Sequence, residues 1–307
     1  VLARCGAESQ TFQVITEMLG AGIVPTLQTV DNVVLDLSKR GAYQAVSSIL
    51  DQLRRYQLNS KISSRALNGL LNACTKAGAF SACIQSYEKY MLDDINRSRL
   101  DAIGISVLMK ACTNMNAPEK AVRIIYSEVN RKFVSRSLVE RVLAMCAKNR
   151  LIGPSIKILL DYENGYWSGS STASSHTGEE PDMSGSSKET ESSFFPELLK
   201  LSSKPRGSAR MYTGVVALLA EAGHTRQGHN VLKSFTTRGG QATEAMYTSL
   251  IYGNRISLNH SYAEEFFHEL WTEAQSASSN IKMSIAAYNA LLSVYAKCGI
   301  FQSKGND

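Results

Sequence analysis

LLNACTKAGA, from Leu70 to Ala79, and LMKACTNMNA, from Leu108 to Ala117, are the same phrase with small changes. Each sets two apolar residues ahead of a small-polar stretch, closes on a turn-forming end, and leads into a helix carrying a small residue and then aliphatic or aromatic ones. The frame recurs as VVLDLSKRG from Val33, VLAMCAKNR from Val142, VVALLAEAG from Val215, LIYGNRISL from Leu250 and LLSVYAKCG from Leu291. Successive starts lie 37, 38, 34, 73, 35 and 41 residues apart, so a single period near 35 fails only once. A period of this length marks stacked repeats, in which each unit is one supersecondary element.

Apolar residues three and four apart inside each unit predict two helices of about 12 to 14 residues joined by a short turn. Gly41, Gly78, Gly223 and Gly299 stand where the first helix should stop, as a left-handed C-terminal cap requires. Pro25 is expected to close the second helix of the opening unit. A lone hairpin cannot bury its apolar faces, so neighbours must stack. The expected fold is all-α: a right-handed α-solenoid of stacked antiparallel helical hairpins, about seven repeats plus a truncated one at the start, with first helices lining the concave surface. The opening residues read as the middle of a helical unit, so the chain is expected to be truncated at both ends.

The single long interval has a compositional cause. Residues 167–193, WSGSSTASSHTGEEPDMSGSSKETESS, are rich in Ser, Gly, Thr and acids and nearly devoid of apolar side chains, so a disordered insertion is expected there. It divides the array into an N-terminal part, 1–166, and a C-terminal part, 194–307, which is expected to stop mid-repeat.

Over 307 residues the formal net charge is +6 with a pI near 8.9, a bias that permits contact with a polyanion. The basic excess is concentrated in the N-terminal part, at roughly +7 between Val1 and Gly165. No apolar run approaches the ~20 residues a membrane span needs, so no membrane association is expected. Cys5, Cys74, Cys83, Cys112, Cys146 and Cys298 lack paired C-x-x-C spacing. Four of them fall in apolar helical stretches, where a free thiol acts as a small buried hydrophobe, and neither metal site nor disulfide framework is expected.

Enzymatic chemistry is missing from the pattern. His176, His224, His229, His260 and His268 lack the H-x-E and C-x-x-C context of a zinc deaminase. Glu264, Glu265, Glu269 and Glu273 fall on one second helix at solvated spacing rather than as a metal-ion cluster. No glycine-rich phosphate loop is present, and nothing sets a nucleophile beside His224 or His229. The chain is therefore read as a non-enzyme without a cofactor.

AYNALLSVYAKCG, from Ala287 to Gly299, and EMLGAGIVPT, from Glu17 to Thr26, resemble the two halves of a pentatricopeptide repeat. An opening Tyr-Asn, a Lys before the glycine turn and a Gly-Ile-x-Pro close carry the resemblance, which covers nearly the whole chain outside the insertion. The Trp, Leu-Gly and Tyr set of tetratricopeptide first helices is absent, and Trp167 and Trp271 fall in the linker and in a second helix.

The resemblance implies single-stranded RNA as partner, with one base read per repeat by a polar first-helix residue and by the last residue of the repeat. The first set is Asp31, Asn68, Ser106, Glu140, Thr213, Thr248 and Asn289. The closing set is Thr26, Ser63, Asp101, Ser135, Thr243 and Ser284. Asn68 with Asp101 matches a family pairing that resembles a uracil reader, whereas Asp31 and Glu140 depart from the pattern and would set carboxylates near an RNA backbone. The family further implies a mitochondrion or chloroplast and a role in organellar RNA processing, stability or translation. A protein-binding scaffold, such as a peripheral subunit of an organellar ribosome, is the alternative that irregular unit lengths favour.

Lys39, Lys76, Lys148 and Lys297 occupy one place just before the turn, with Asn114, Glu221 and Arg255 near it in the other units. The row suits RNA phosphates, and it equally suits the negative end of a helix dipole.

Overall fold

The computed structural model describes residues 2–58, 62–91, 100–127, 131–167, 181, 195–276 and 281–299, and among these no strand occurs. The insertion expected at 167–193 lies outside the described residues apart from Trp167 and Pro181, both buried. The described elements are helices with short turns, and the chain divides into two compact units, Val1–Leu138 and Val139–Asp307. No helix among the described residues is long and apolar enough to cross a membrane.

The first unit holds α1 (Leu2–Cys5), α2 (Glu8–Gly20), α3 (Leu27–Ser38), α4 (Tyr43–Arg55), α5 (Ser64–Lys76), α6 (Phe80–Met91), α7 (Ala102–Met115) and α8 (Pro118–Tyr126). A 3-10 turn at Arg131–Phe133 follows, and α9 (Arg136–Lys148) carries the chain into the second unit. There stand α10 (Ile152–Glu163), a short α11 at 195–200, α12 (Ala209–Glu221), α13 (Thr225–Thr237), α14 (Glu244–Ser257), α15 (His260–Gln275) and α16 (Ile285–Cys298). The first helices of the repeats are α3, α5, α7, α9, α12, α14 and α16.

Within each unit, first helix packs on first helix. In the first unit α3 meets α5 and α5 meets α7, while in the second α12 meets α14 and α14 meets α16. The repeated phrase supplies the core: Leu67, Leu70, Leu71 and Cys74 of α5 and Ile105, Leu108, Met109 and Cys112 of α7 are all closed to solvent. Each such aliphatic side chain contributes about 1.5–3 kcal/mol relative to exposure. Small residues let the helices approach. A Cβ on Gly69 would lie 2.7 Å from Val34 Cγ1, and one on Gly253 would lie 2.6 Å from the Ala220 carbonyl oxygen.

All seven first helices end alike. The residue fourteen places after the first one of each is left-handed: Gly41, Gly78, Asn116, Arg150, Gly223, Leu258 and Gly299. Four are the glycines expected for a left-handed cap. Asn116, Arg150 and Leu258 take the same conformation, at φ of 50°, 57° and 52°, against the preference of an L side chain. In the opening unit α2 stops at Gly20 with Gly22 at φ 74°, so a glycine ends the helix and Pro25 lies in the connector beyond it.

A buried ionic cluster bridges the interrupted joint. Glu163, the last residue of α10, accepts from the backbone N–H of Gly207 at 2.8 Å and of Arg206 at 3.2 Å, and from Arg238 Nη1 at 2.9 Å. Arg238 also donates to the Tyr212 hydroxyl, and the Tyr212 ring stacks on Phe235 with centroids 4.2 Å apart. Burial, reinforced by the Glu163 carboxylate, pushes the Tyr212 phenol pKa above its ordinary range. The end of α10, the segment leading into α12 and the end of α13 thus share one set of charges, and α12 packs directly on α10.

Burial pushes the thiol pKa of Cys74 up to about 11 and those of Cys83, Cys112 and Cys146 up to about 12, so these four are core packing groups.

Candidate nucleic-acid interface

The first helices share one register, and the residues singled out by sequence fall on fixed steps of it. Asp31, Asn68, Ser106, Glu140, Thr213, Thr248 and Asn289 are each the fifth residue of their helix, and Lys39, Lys76, Lys148 and Lys297 occupy the thirteenth step. The closing residues stand immediately ahead of the next first helix, where four of them cap it. Thr26 accepts from the Thr29 N–H, Ser63 from Ala66, Ser284 from Ala286, and Asp101 from both Ile103 and Gly104. Ser135 and Thr243 hold the same place, Ser135 sharing a 2.9 Å contact with the Ser137 hydroxyl.

Several fifth residues are engaged with the cap of the following repeat. Ser63 donates its hydroxyl to Asp31. Ser208, the cap of α12, donates to Glu140 Oε1 at 2.7 Å, and the hydroxyls of Thr213 and Thr243 lie 3.2 Å apart. At the next joint Glu244, the first residue of α14, accepts from the Ser284 hydroxyl at 2.6 Å and its N–H at 2.7 Å. A carboxylate beside a capping serine sits at the positive end of the next helix, where anions are stabilised by about 0.3–1 kcal/mol. The acids expected to crowd an RNA backbone are therefore tied into the joints between hairpins.

Ser208 was not among the expected closing residues. The insertion displaces it from the count, although a serine ahead of an apolar helix is a cap signal.

Asn68 and Asp101 do not hydrogen-bond to each other. The Asp101 carboxylate is occupied by the two N–H groups of its own helix, each at 2.9 Å. Asn68 is 9% exposed with its Oδ1 unpartnered, facing Gly104, where a Cβ would collide with it. Thr248 Oγ1 is likewise buried without a partner, whereas Ser106 and Asn289 are exposed.

The lysines divide in their roles. Lys76 donates to the Lys39 carbonyl at 2.9 Å, joining the ends of two consecutive first helices, and Lys39 pairs with Asp36 at 3.1 Å. Hydrogen bonding from Lys39 and then Arg4 holds the Asp36 carboxyl below the usual carboxylate range. Lys148 and Lys297 of the second unit are exposed.

In the second unit the first helices enclose a groove of about 700 Å³ bounded by α12, α14 and α16. Its lining includes Glu244, Thr248 and Tyr252 of α14, Asn289 and Ser293 of α16, and Arg255 at the far end. Two of the fifth-step residues therefore face one hollow, together with a cation and an aromatic ring.

Antiparallel hairpins, first helices in common register and a groove between them define an α-helical repeat protein of the solenoid class. No family model matches the chain, and no curated protein matches it. Among solved structures it is similar to the maize pentatricopeptide repeat protein PPR10, at 16% identity over 97% of this chain and 51% of that chain, with a TM-score of 0.32. PPR10 in complex with an 18-nt psaJ RNA element gives 16% identity, 97% and 50% coverage and a TM-score of 0.34. The chain spans about half the length of those it matches.

Proposed function

We propose that the chain binds single-stranded RNA through its first helices and serves organellar RNA processing, stability or translation as a binding protein rather than a catalyst. The observation that carries this reading is the shared register: a polar fifth residue in every first helix, and a lysine at the thirteenth step in four of the seven. Short polar side chains on a rigid helix face suit the edges of unstacked bases, and lysines a turn or two further along suit the phosphates. The pentatricopeptide-like phrases point the same way and supply the organellar setting.

A second reading, a protein-binding scaffold or peripheral subunit of a large assembly such as an organellar ribosome, is favoured by one observation. Asp31, Glu140 and Thr213 already spend their polar groups on the next repeat.

Equilibrium binding to a random single-stranded RNA pool across a salt series separates the two. Wild type should show a log–log salt slope of roughly −3, lost when Lys39, Lys76, Lys148 and Lys297 are changed together to Ala. Absence of measurable affinity at low salt, or an unchanged slope in the quadruple variant, rejects the groove reading in favour of the scaffold.

A further inference from the structure

The groove between α14 and α16 carries an exposed aromatic ring, and its neighbours determine what can settle there. Tyr252 is 42% exposed and lies one turn beyond Thr248 on the same face of α14. The Arg255 guanidinium carbon sits 4.8 Å from the centre of the Tyr252 ring, and its Nη1 reaches Ser293 Oγ on α16 at 3.4 Å. Ring and guanidinium thus stand as a pre-set pair, anchored to both helices.

Charge then discriminates between ligands. One guanidinium against the two carboxylates Glu221 and Glu244 gives the lining a net formal charge of −1, which opposes a phosphate. What the groove offers instead is an aromatic surface beside hydrogen-bond acceptors: the carboxylates and the exposed Asn289 amide. A planar heterocycle bearing N–H donors complements both. Stacking on an aromatic or arginine plane, with hydrogen bonds to the edge, is how extruded bases are held.

The geometry points to Tyr252 with Arg255 as a nucleobase-stacking platform that takes a base bearing an exocyclic amino group: adenine, cytosine or guanine. Uracil offers one N–H between two carbonyl oxygens and suits the acidic lining least. The inference rests on the single-stranded RNA reading, and it adds a stacking contact at the ninth helical step to hydrogen bonding at the fifth.

Fluorescence anisotropy with labelled oligo(A), oligo(C), oligo(U) and an abasic strand tests it on the full chain. Tyr252→Ala should weaken oligo(A) and oligo(C) about tenfold, oligo(U) less and the abasic strand not at all, with Tyr252→Phe staying within about twofold of wild type. Arg255→Lys keeps the charge but removes the plane, and should lose several-fold on the same two strands even if Tyr252→Ala does not fold. Wild-type affinity in Tyr252→Ala and Arg255→Lys, or an equal loss on the abasic strand, overturns the platform and leaves the groove reading intact. Failure of wild type to bind any strand at low salt overturns both.

Discussion

Replacing Glu163 by Gln should strike the second unit harder than any surface change of equal size. The Glu163 side chain is 1% exposed and that of Arg238 is 4%, so neither charge has water to fall back on. A glutamine keeps the shape and one acceptor oxygen but turns the other into a donor, facing N–H groups of Arg206 or Arg238. The guanidinium is left buried with the Tyr212 hydroxyl and the Ser203 and Ser234 carbonyls as partners and no counter-charge. Breaking one side of such a pair costs about 3–5 kcal/mol, which for a body of this size lowers the melting temperature by on the order of 10 °C. Helical repeats need not melt as one, so calorimetry should be accompanied by hydrogen exchange at the Arg206 amide, which shares Glu163 Oε2 with Arg238 and loses that acceptor. Adding Arg238→Met should recover about 1 kcal/mol or more, because it removes the stranded charge. The account of the joint is wrong if Glu163→Gln costs under about 1 kcal/mol and leaves Arg206 protection unchanged.

Three further outcomes follow from the same packing. Ser208→Ala removes both the cap of α12 and the donor to Glu140, and should lower stability in urea by about 1–2 kcal/mol, with Glu140→Gln, which keeps an acceptor, costing less. Leu258 is 57% exposed at φ 52°, so Leu258→Gly should gain about 0.5–1 kcal/mol in the same assay, and a loss would show that its side chain matters more than its backbone. At pH 8 a thiol reagent should modify Cys5 and Cys298 and spare Cys74, Cys83, Cys112 and Cys146 until the chain unfolds. Because burial raises those four thiols from 9.0 to about 11 or 12, their contribution to stability is whole below pH 9 and falls as pH climbs through the raised values, which alkaline melting curves can follow.

The period near 35 revealed the hairpins because burial repeats with the repeat: Leu70 and Leu108 open the same phrase, and both are closed to solvent. Lys39, Lys76, Lys148 and Lys297 were legible as a row because each stands within one residue of a helix end. The left-handed ends at Arg150 and Leu258 were not legible, since neither residue type favours that conformation and packing imposes it. Nor could spacing show that Asp31 and Glu140 bond to serines at the following joint, because those partners lie 32 and 68 positions away. Ser208 was hidden for the related reason that a long interval broke the count. The closing residues each stand one place ahead of a first helix, but a serine that caps a helix and one that meets a base have the same local signature.

The cluster around Glu163 makes the interrupted joint a seam. One carboxylate ends α10 and takes the amides of Arg206 and Gly207, so a single side chain joins positions 43 and 44 residues apart. The seam therefore separates length from register: α12 takes its place from α10 and from this one carboxylate, not from the number of residues that lie between them in the chain.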